Sequence, residues 1–532
     1  MGAFRSKWQT LLLSFVVTTF LVEGSFAGEV FDPGTFAPQR DQFAFVVSNT
    51  AVPAATLLSV QPPGVDEIGV RGEWLNCYST LDPACALNTR TWSGPGDQGV
   101  IGWSVLPICD SQASENCIEK FEISYDGANF ADAKFLRTLA GGLSIPSDPT
   151  FNYVGGGTTS IWDDSTLANS KKQSYVTNFI YSSFYDPSTK KFNVSNISLS
   201  IVPVKEVSGA YKAPVMDRNL PANNRISFGP RGSVWSEDGV IGVATDFPST
   251  SKFRLTVRST NQVTGWFKAR LKDPAIDIKK YSEDNNKVVI EGEPVSVPTF
   301  VYTKFKSEFN TKENKWWQNN GQSNSTTGAG ADQQDIFEYL DYFRPLVNDR
   351  AAGFNTLWTV NSTNWGNQNK CLMDPSRVVG IVSTNAMGFN GNSPSYKDGT
   401  LNYQVAGMHY MPDGKSLVEG TYDLLIRSDA ARCLYGFSNA PIQASISVTG
   451  EADQKVATTS MTEGNGWIKL SAYGFTFSDP TISVKLSQAK SQEKVQANVQ
   501  VKKSSTITCK KGKITKKVTG ESPKCPAGYK KR

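Results

Sequence analysis

Histidine chemistry in this chain rests on a single residue. Among 532 residues His409 is the only histidine, within Gly407-Met408-His409-Tyr410-Met411-Pro412-Asp413-Gly414. A zinc peptidase of the HExxH type needs two histidines, so that class is excluded. A serine hydrolase could use His409 as its base, but the chain has no G-x-S-x-G elbow to present a serine to it. The plainer expectation is a strand residue beside a Pro-Asp-Gly turn. Pro412-Asp413-Gly414-Lys415-Ser416 looks like the end of a phosphate loop, yet His409 stands where that loop's first glycine belongs, and the backbone cradle is missing. S-x-x-K occurs at Ser188, Ser487 and Ser491 without the KTG or SDN partners that would make it a nucleophile site.

Carboxylates leave one enzyme class open. Glycosidases use two of them, about 5–9 Å apart in space rather than in sequence. Asp163, Asp164, Glu237 and Asp238 are candidates, and each also reads as a turn residue. Asp126-Gly127 and Asp132 could line a calcium loop, but no EF-hand spacing is present, and the expectation is no metal and no cofactor. Trp316 and Trp317 sit between Lys312-Glu313-Asn314-Lys315 and Gln318-Asn319-Asn320. Aromatics in so polar a loop can stack on the faces of sugars, and they can equally cover a sheet end.

Eight cysteines make three close pairs, Cys77 and Cys85, Cys109 and Cys117, Cys509 and Cys525, and leave Cys371 and Cys433. The spacings are too wide for a zinc site and histidine partners are lacking, so disulfides are expected. Short loops are the least demanding to close, which favours nearest neighbours, although eight cysteines allow 105 connectivities. The last such pair lies in a tail of unusual charge. Residues 502–532 hold 11 of the chain's 54 basic residues and one of its 49 acidic ones, so the tail is near +10 and the rest of the chain near −5. Lys510, Lys511, Lys513, Lys516, Lys517, Lys530, Lys531 and Arg532 form a basic handle suited to an anionic surface. The tail reads as a small hairpin closed by Cys509–Cys525, with its lysines on an outer face.

The elements that must position these residues are mostly strands. Apolar residues at 39% and aromatics at 11% are enough to build cores, and helical periodicity is rare. Phe253-Arg254-Leu255-Thr256-Val257 and Ile482-Ser483-Val484-Lys485-Leu486 alternate with a period of two, as half-buried antiparallel strands do. Asp186-Pro187-Ser188-Thr189 and Glu283-Asp284-Asn285-Asn286 carry hairpin-turn chemistry. Strand spacing of about 8–12 residues points to sandwiches. One helix is expected over residues 332–347, where Ile336, Leu340, Phe343 and Val347 share a face, Asp332 could cap the start and Pro345 should kink it or end it early. Gly99-Val100-Ile101-Gly102 recurs as Gly239-Val240-Ile241-Gly242, too short an echo to establish duplication.

The fold expected is therefore mostly β: multidomain antiparallel β-sandwiches, one short helix, and a small disulfide-closed basic C-terminal hairpin. Residues 1–27 carry Arg5 and Lys7, an apolar run over 11–22 and Ser25-Phe26-Ala27, which reads as a secretory signal peptide. The apolar run is shorter than the roughly 20 residues of a spanning helix, so no membrane span is expected after cleavage. The borders expected are 28–150, 151–305 and 306–486 for three β domains, 487–501 for a linker and 502–532 for the tail module.

The tail, with Thr506-Ile507-Thr508-Cys509-Lys510-Lys511-Gly512-Lys513, Lys516-Lys517-Val518-Thr519 and Pro523-Lys524-Cys525-Pro526-Ala527-Gly528-Tyr529-Lys530-Lys531, resembles a C-terminal module of secreted proteins of Actinobacteria. Asn116-Cys117-Ile118-Glu119, Gly265-Trp266-Phe267 with Lys272-Asp273-Pro274, Leu340-Asp341-Tyr342-Phe343-Arg344-Pro345, Thr384-Asn385-Ala386-Met387 and residues 420–437 are similar to pieces of large exported proteins of that phylum, a set without an assigned activity. The resemblance implies export and placement outside the cell or at its surface, and it brings no catalytic residues with it. The functional expectation is a structural or binding protein, not an enzyme, held at the bacterial envelope through the tail, with an anionic envelope polymer as partner. A glycan-binding protein and a polysaccharide hydrolase are the alternatives. Nucleic acid would suit a basic patch, but secretion argues against it.

Overall fold

The computed structural model describes residues 42–45, 56–60, 75–89, 99–110, 115–140, 144–164, 173–216, 226–227, 233–300, 304–305, 325–326, 336–363, 369–374, 376–390, 393–438, 442–449, 458–477, 481–488, 505–520 and 522–532. The residues read as a signal peptide, the Trp316-Trp317 pair, Asp332 and most of the 487–501 linker lie outside these. The chain divides into two compact units, one of Met1–Gly436 with Ala444–Leu486, the other of Phe437–Gln443 with Ser487–Arg532. The borders expected at 150 and 305 thus fall inside the first unit. Hydrogen-bonded ladders cross both positions: Val100–Val105 pairs with Ser174–Asp186, Cys117–Ser124 with Lys252–Thr260, and Asn285–Thr299 with Gly353–Thr363.

Alternation becomes strand where it was read. Phe253, Leu255 and Val257 are fully buried on one side of Lys252–Thr260, while Arg254 and Arg258 reach out on the other. Ile482, Val484 and Leu486 are buried along Thr481–Gln488. Both hairpins form, but their strands are longer than the expected spacing allows. Ser174–Asp186 and Lys191–Ser208 run 13 and 18 residues, and Gly265–Lys280 and Asn285–Thr299 run 16 and 15. The first turn is tied by the Asp186 carboxylate, which accepts the Ser188 N–H at 2.8 Å and the Thr189 hydroxyl at 3.0 Å.

Length lets the second hairpin serve two sheets. Residues 266–270 pair with Gly353–Thr363, and residues 271–280 pair instead with Asn285–Thr299. The switch falls between Arg270 and Leu271, and a bulge follows it between Lys272 and Ala275, where Asp273 takes φ 52° and Pro274 donates no hydrogen bond. Cys117–Ser124, Lys252–Thr260 and Asn285–Thr299 form one layer, and Ser174–Asp186, Lys191–Ser208 and Gly353–Thr363 belong to the other. Between them Phe121 and Phe253 meet Tyr175 edge-on at 5.6 and 5.5 Å, in a core that includes Leu255, Ile290, Phe179, Ile201 and Trp358. Each large apolar side chain removed from water there contributes about 1.5–3 kcal/mol. Val378–Thr384 joins the second layer in parallel, and Glu419–Arg427, Trp467–Thr476 and Thr458–Gly464 extend it.

The expected helix spans Ile336–Leu346 and ends one residue after Pro345, whose ring cannot continue the ladder. It seals an end of the core with Leu340 and Phe343 against Val297, Phe300, Leu357 and Met408. A second helix, Ser428–Tyr435, was not expected. At eight residues it is too short for apolar periodicity to show, and Gly436 closes it at φ 66°. The two Gly-Val-Ile-Gly segments adopt the same local arrangement. Gly99 and Gly239 take φ of 72° and 88° before strands Val100–Val105 and Val240–Ala244. A Cβ on Gly102 would lie 2.9 Å from the Tyr153 ring, and one on Gly242 would lie 2.0 Å from the Trp235 indole nitrogen.

All eight cysteines are bridged as proximity suggests: Cys77–Cys85, Cys109–Cys117, Cys371–Cys433 and Cys509–Cys525, with Cα separations of 5.9, 5.0, 5.7 and 5.6 Å. Among the described residues no helix is long and apolar enough to cross a membrane.

Candidate functional site

His409 and the carboxylates considered for catalysis are each engaged locally. His409 follows the sheet as a half-buried residue, its N–H donating to Asp349 at 3.0 Å and its carbonyl accepting from Val418 at 2.9 Å. Burial pushes the Asp349 carboxyl above its ordinary range. The neighbouring turn is built by Asp413, which accepts the N–H groups of Lys415 and Ser416, both at 2.8 Å, with Gly414 at φ 68°. Asp163 accepts from the Ser174 hydroxyl at 2.8 Å, and Asp164 accepts from the Tyr125 hydroxyl. Glu237 pairs with Arg137 at 2.8 Å and accepts the Ala140 N–H, while Asp238 accepts the Ala213 N–H at 3.1 Å. A cleft of about 590 Å³ opens between Pro107, Glu115, Asn116 and the 145–157 segment. Its lining has one carboxylate, Glu115, where a glycosidase needs two.

The loop weighed for calcium is a turn held by its own hydrogen bonds. Asp126 accepts the N–H of Asn129 at 2.7 Å and that of Ala128 at 2.9 Å, together with the Asn129 side-chain amide and the Ser124 hydroxyl. These hold its carboxyl far below the usual range. Asp132 pairs with Lys120 at 2.8 Å. Among the described residues no three metal-ligating side chains cluster.

Two polar clusters in the sandwich were not anticipated. On the outer side of Lys252–Thr260, Arg254 reaches Glu291 at 2.8 Å and Glu122 at 3.6 Å, and its guanidinium lies 3.7 Å over the Phe130 ring. Arg258 meets Glu119 at 2.8 Å, and Lys252 meets Asp273 at 3.0 Å and Glu291 at 3.3 Å. Behind the bulge, Asp423 is completely buried. It accepts from the Ser471 hydroxyl at 2.5 Å, the Tyr473 hydroxyl at 2.8 Å and the Asp273 N–H at 3.3 Å. Burial raises its carboxyl to about 6, and the two hydroxyls offset only part of that. The Lys272-Asp273-Pro274 run was the available sequence signal, since a proline after an acid inside an alternating run marks a bulge.

The tail is a sheet of three strands rather than a bare hairpin. Ser505–Lys511 lies between Ile514–Gly520 and Lys530–Lys531, in antiparallel pairing with both. Gly512 turns the chain at φ 60°, and Lys513 completes the turn. Among the described tail residues Cys509 is the one fully buried, bridged to Cys525. The lysines do not share one outer face. Lys510, Lys517 and Lys530 lie on one side of the sheet and Lys511, Lys516 and Lys531 on the other, because opposed residues of a register share a face and successive residues alternate. All of these, with Lys513 and Arg532, are exposed. Among the described tail residues there is no Asp or Glu. The arrangement can bind anions by charge and by hydroxyl hydrogen bonds. The chain matches no protein-family model, and no curated protein matches it.

Proposed function

We propose that this chain is a secreted β-sandwich protein retained at the cell surface by an anionic polymer of the envelope, which its basic tail sheet binds. The observation that carries the reading is the tail's charge: 11 basic residues against one acidic in residues 502–532, with the exposed lysines spread over both faces of a small sheet. Four disulfides support an oxidising compartment, where such bridges form and persist. The sandwich is then the body carried to the surface, and the tail holds it there.

Deleting residues 502–532 tests this directly. The cell-associated fraction of the exported protein should fall and the released fraction rise. Salt should elute the full chain, since the screening length shrinks from about 10 Å at 0.1 M to about 3 Å at 1 M. Retention that ignores the deletion removes the tail from the account.

A further inference from the structure

The two faces of the tail sheet differ in kind as well as in which lysines they hold. One carries Ile507, Cys509 and Lys511 opposite Val518, Lys516 and Ile514, with Lys531 opposite Cys509. The Cys509–Cys525 bridge fastens the following turn to this side, and the Lys511 Nζ lies where a side chain on Gly528 would begin, 3.1 Å from that position. This face is partly apolar and partly covered. The other carries Thr506, Thr508 and Lys510 opposite Thr519, Lys517 and Thr515, with Lys530 opposite Lys510. It has no apolar side chain except threonine methyls and no carboxylate, and every residue on it but the half-buried Thr508 is exposed.

Resting on the envelope reading above, we propose that the threonine–lysine face is the docking surface, and that it takes one strand of a linear polyanion laid across the three β-strands. Lys517, Lys510 and Lys530 stand one per strand in that direction. Directly opposed side chains leave the sheet about 5 Å apart and diagonal ones about 7–8 Å, so the three ammonium groups form a row. Lys510 opposite Lys530 sets like charges side by side, which a sheet tolerates poorly and which an anion lying between them relieves. A row of point charges fits successive charges along a polymer better than one small anion. The threonine hydroxyls beside the row can donate to anionic oxygens; those of Thr506 and Thr519 are 2.7 Å apart. Phosphate-bearing and carboxylate-bearing polymers share this chemistry.

The test uses the full chain and two immobilised probes, inorganic polyphosphate and polygalacturonate. Binding is measured against salt for the intact protein, for the deletion of 502–532, and for two triple variants of equal charge. K510Q/K517Q/K530Q strips the threonine face, and K511Q/K516Q/K531Q strips the disulfide face. All six positions are exposed, and mass spectrometry checks that Cys509–Cys525 remains closed. The threonine-face variant should bind about tenfold or more weakly, with the slope of log affinity against log salt reduced by about 2–3, as expected for three lost contacts. The disulfide-face variant should change that slope by less than about one. The probe that holds the protein to higher salt identifies phosphate or carboxylate as the recognised group. Equal losses from both triples, or a loss confined to the disulfide face, overturn the face assignment while leaving the tail as the binding element. Undiminished binding of the deletion to both probes overturns the tail reading itself.

Discussion

On strand Lys252–Thr260, Arg254 stands opposite Glu122 on one neighbour and Glu291 on the other, whereas on the tail strand Ser505–Lys511, Lys510 stands opposite Lys530. Both sheets carry rows of cations. In the sandwich each of Lys120, Lys252, Arg254 and Arg258 has a carboxylate within 2.8–3.0 Å on a neighbouring strand or turn. In the tail the described carboxylates number none. Complementary cross-strand charge supports a register, while like charge weakens one. The sandwich charges are therefore part of its construction, whereas the tail charges work against the register of their own sheet, in keeping with the proposed partner. The supports differ accordingly. The sandwich has an aromatic core, and the tail has, among its described residues, one that is buried, Cys509, and its bridge.

The largest expected effect breaks that last support. Cys525→Ser removes a bridge spanning 16 residues, a closure worth about 3 kcal/mol in the chain-entropy account. A three-stranded sheet without an apolar core has no comparable reserve. The tail of this variant should be cut by a lysine-specific protease many times faster than that of the native protein, while the thermal unfolding of the sandwich stays where it was. Equal protease resistance would mean that the tail sheet is held by something other than its bridge.

How much of this was legible in the sequence follows from which signals are local. Alternation in 253–257 and 482–486, the turn at 186–189 and the proximity of Cys77 to Cys85 are short-range patterns, and they led to the right elements. The crossing of Gly265–Lys280 between two layers depends on partners up to 23 and about 90 residues away, so three separate domains was the natural reading of what is one compact unit. Helix Ser428–Tyr435 buries only Ala430 and Ala431, too little to leave a periodic trace. The tail lysines were found by composition, but their division between two faces needed the register, because adjacent lysines such as Lys510-Lys511 and Lys530-Lys531 necessarily part company on a strand. The buried Asp423 looked like any acid in a strand.

A smaller effect separates two acids that touch. Asp423 is buried and its folded carboxyl sits near 6, above the ordinary value, so the fold favours its neutral form. Its contribution is full at low pH and is lost as pH rises from about 4 to 6. For Asp273 burial opposes ionisation, but hydrogen bonds and charge from Lys469 and Lys252 outweigh it and keep the carboxyl below the ordinary value. Its contribution is present at neutral pH and is lost only as pH falls below about 4. Urea unfolding at pH 7 and pH 4.5 should therefore show the native protein gaining about 1–3 kcal/mol on Asp423→Asn as the pH drops. A difference that does not move with pH would mean that the Asp423 carboxyl titrates near its ordinary value, as a hydrated group would.

The smallest effect is a matched pair that states the comparison in one measurement. Arg254→Gln leaves Glu122 and Glu291, whose side chains are 10% and 20% exposed, without their shared cation, and it removes the guanidinium from over Phe130. Partial exposure tempers the loss, so about 1–2 kcal/mol of sandwich stability is expected to go. Lys510→Gln removes a charge of the same sign from a strand centre but leaves no carboxylate behind, and it relieves the repulsion from Lys530. Its effect on the tail sheet, read as lysine-specific proteolysis or amide exchange of residues 505–520, should be within about 0.5 kcal/mol and on the stabilising side. If Lys510→Gln weakened the tail as much as Arg254→Gln weakens the sandwich, the tail lysines would be structural after all, and their exposure would no longer argue for a polymer outside the protein.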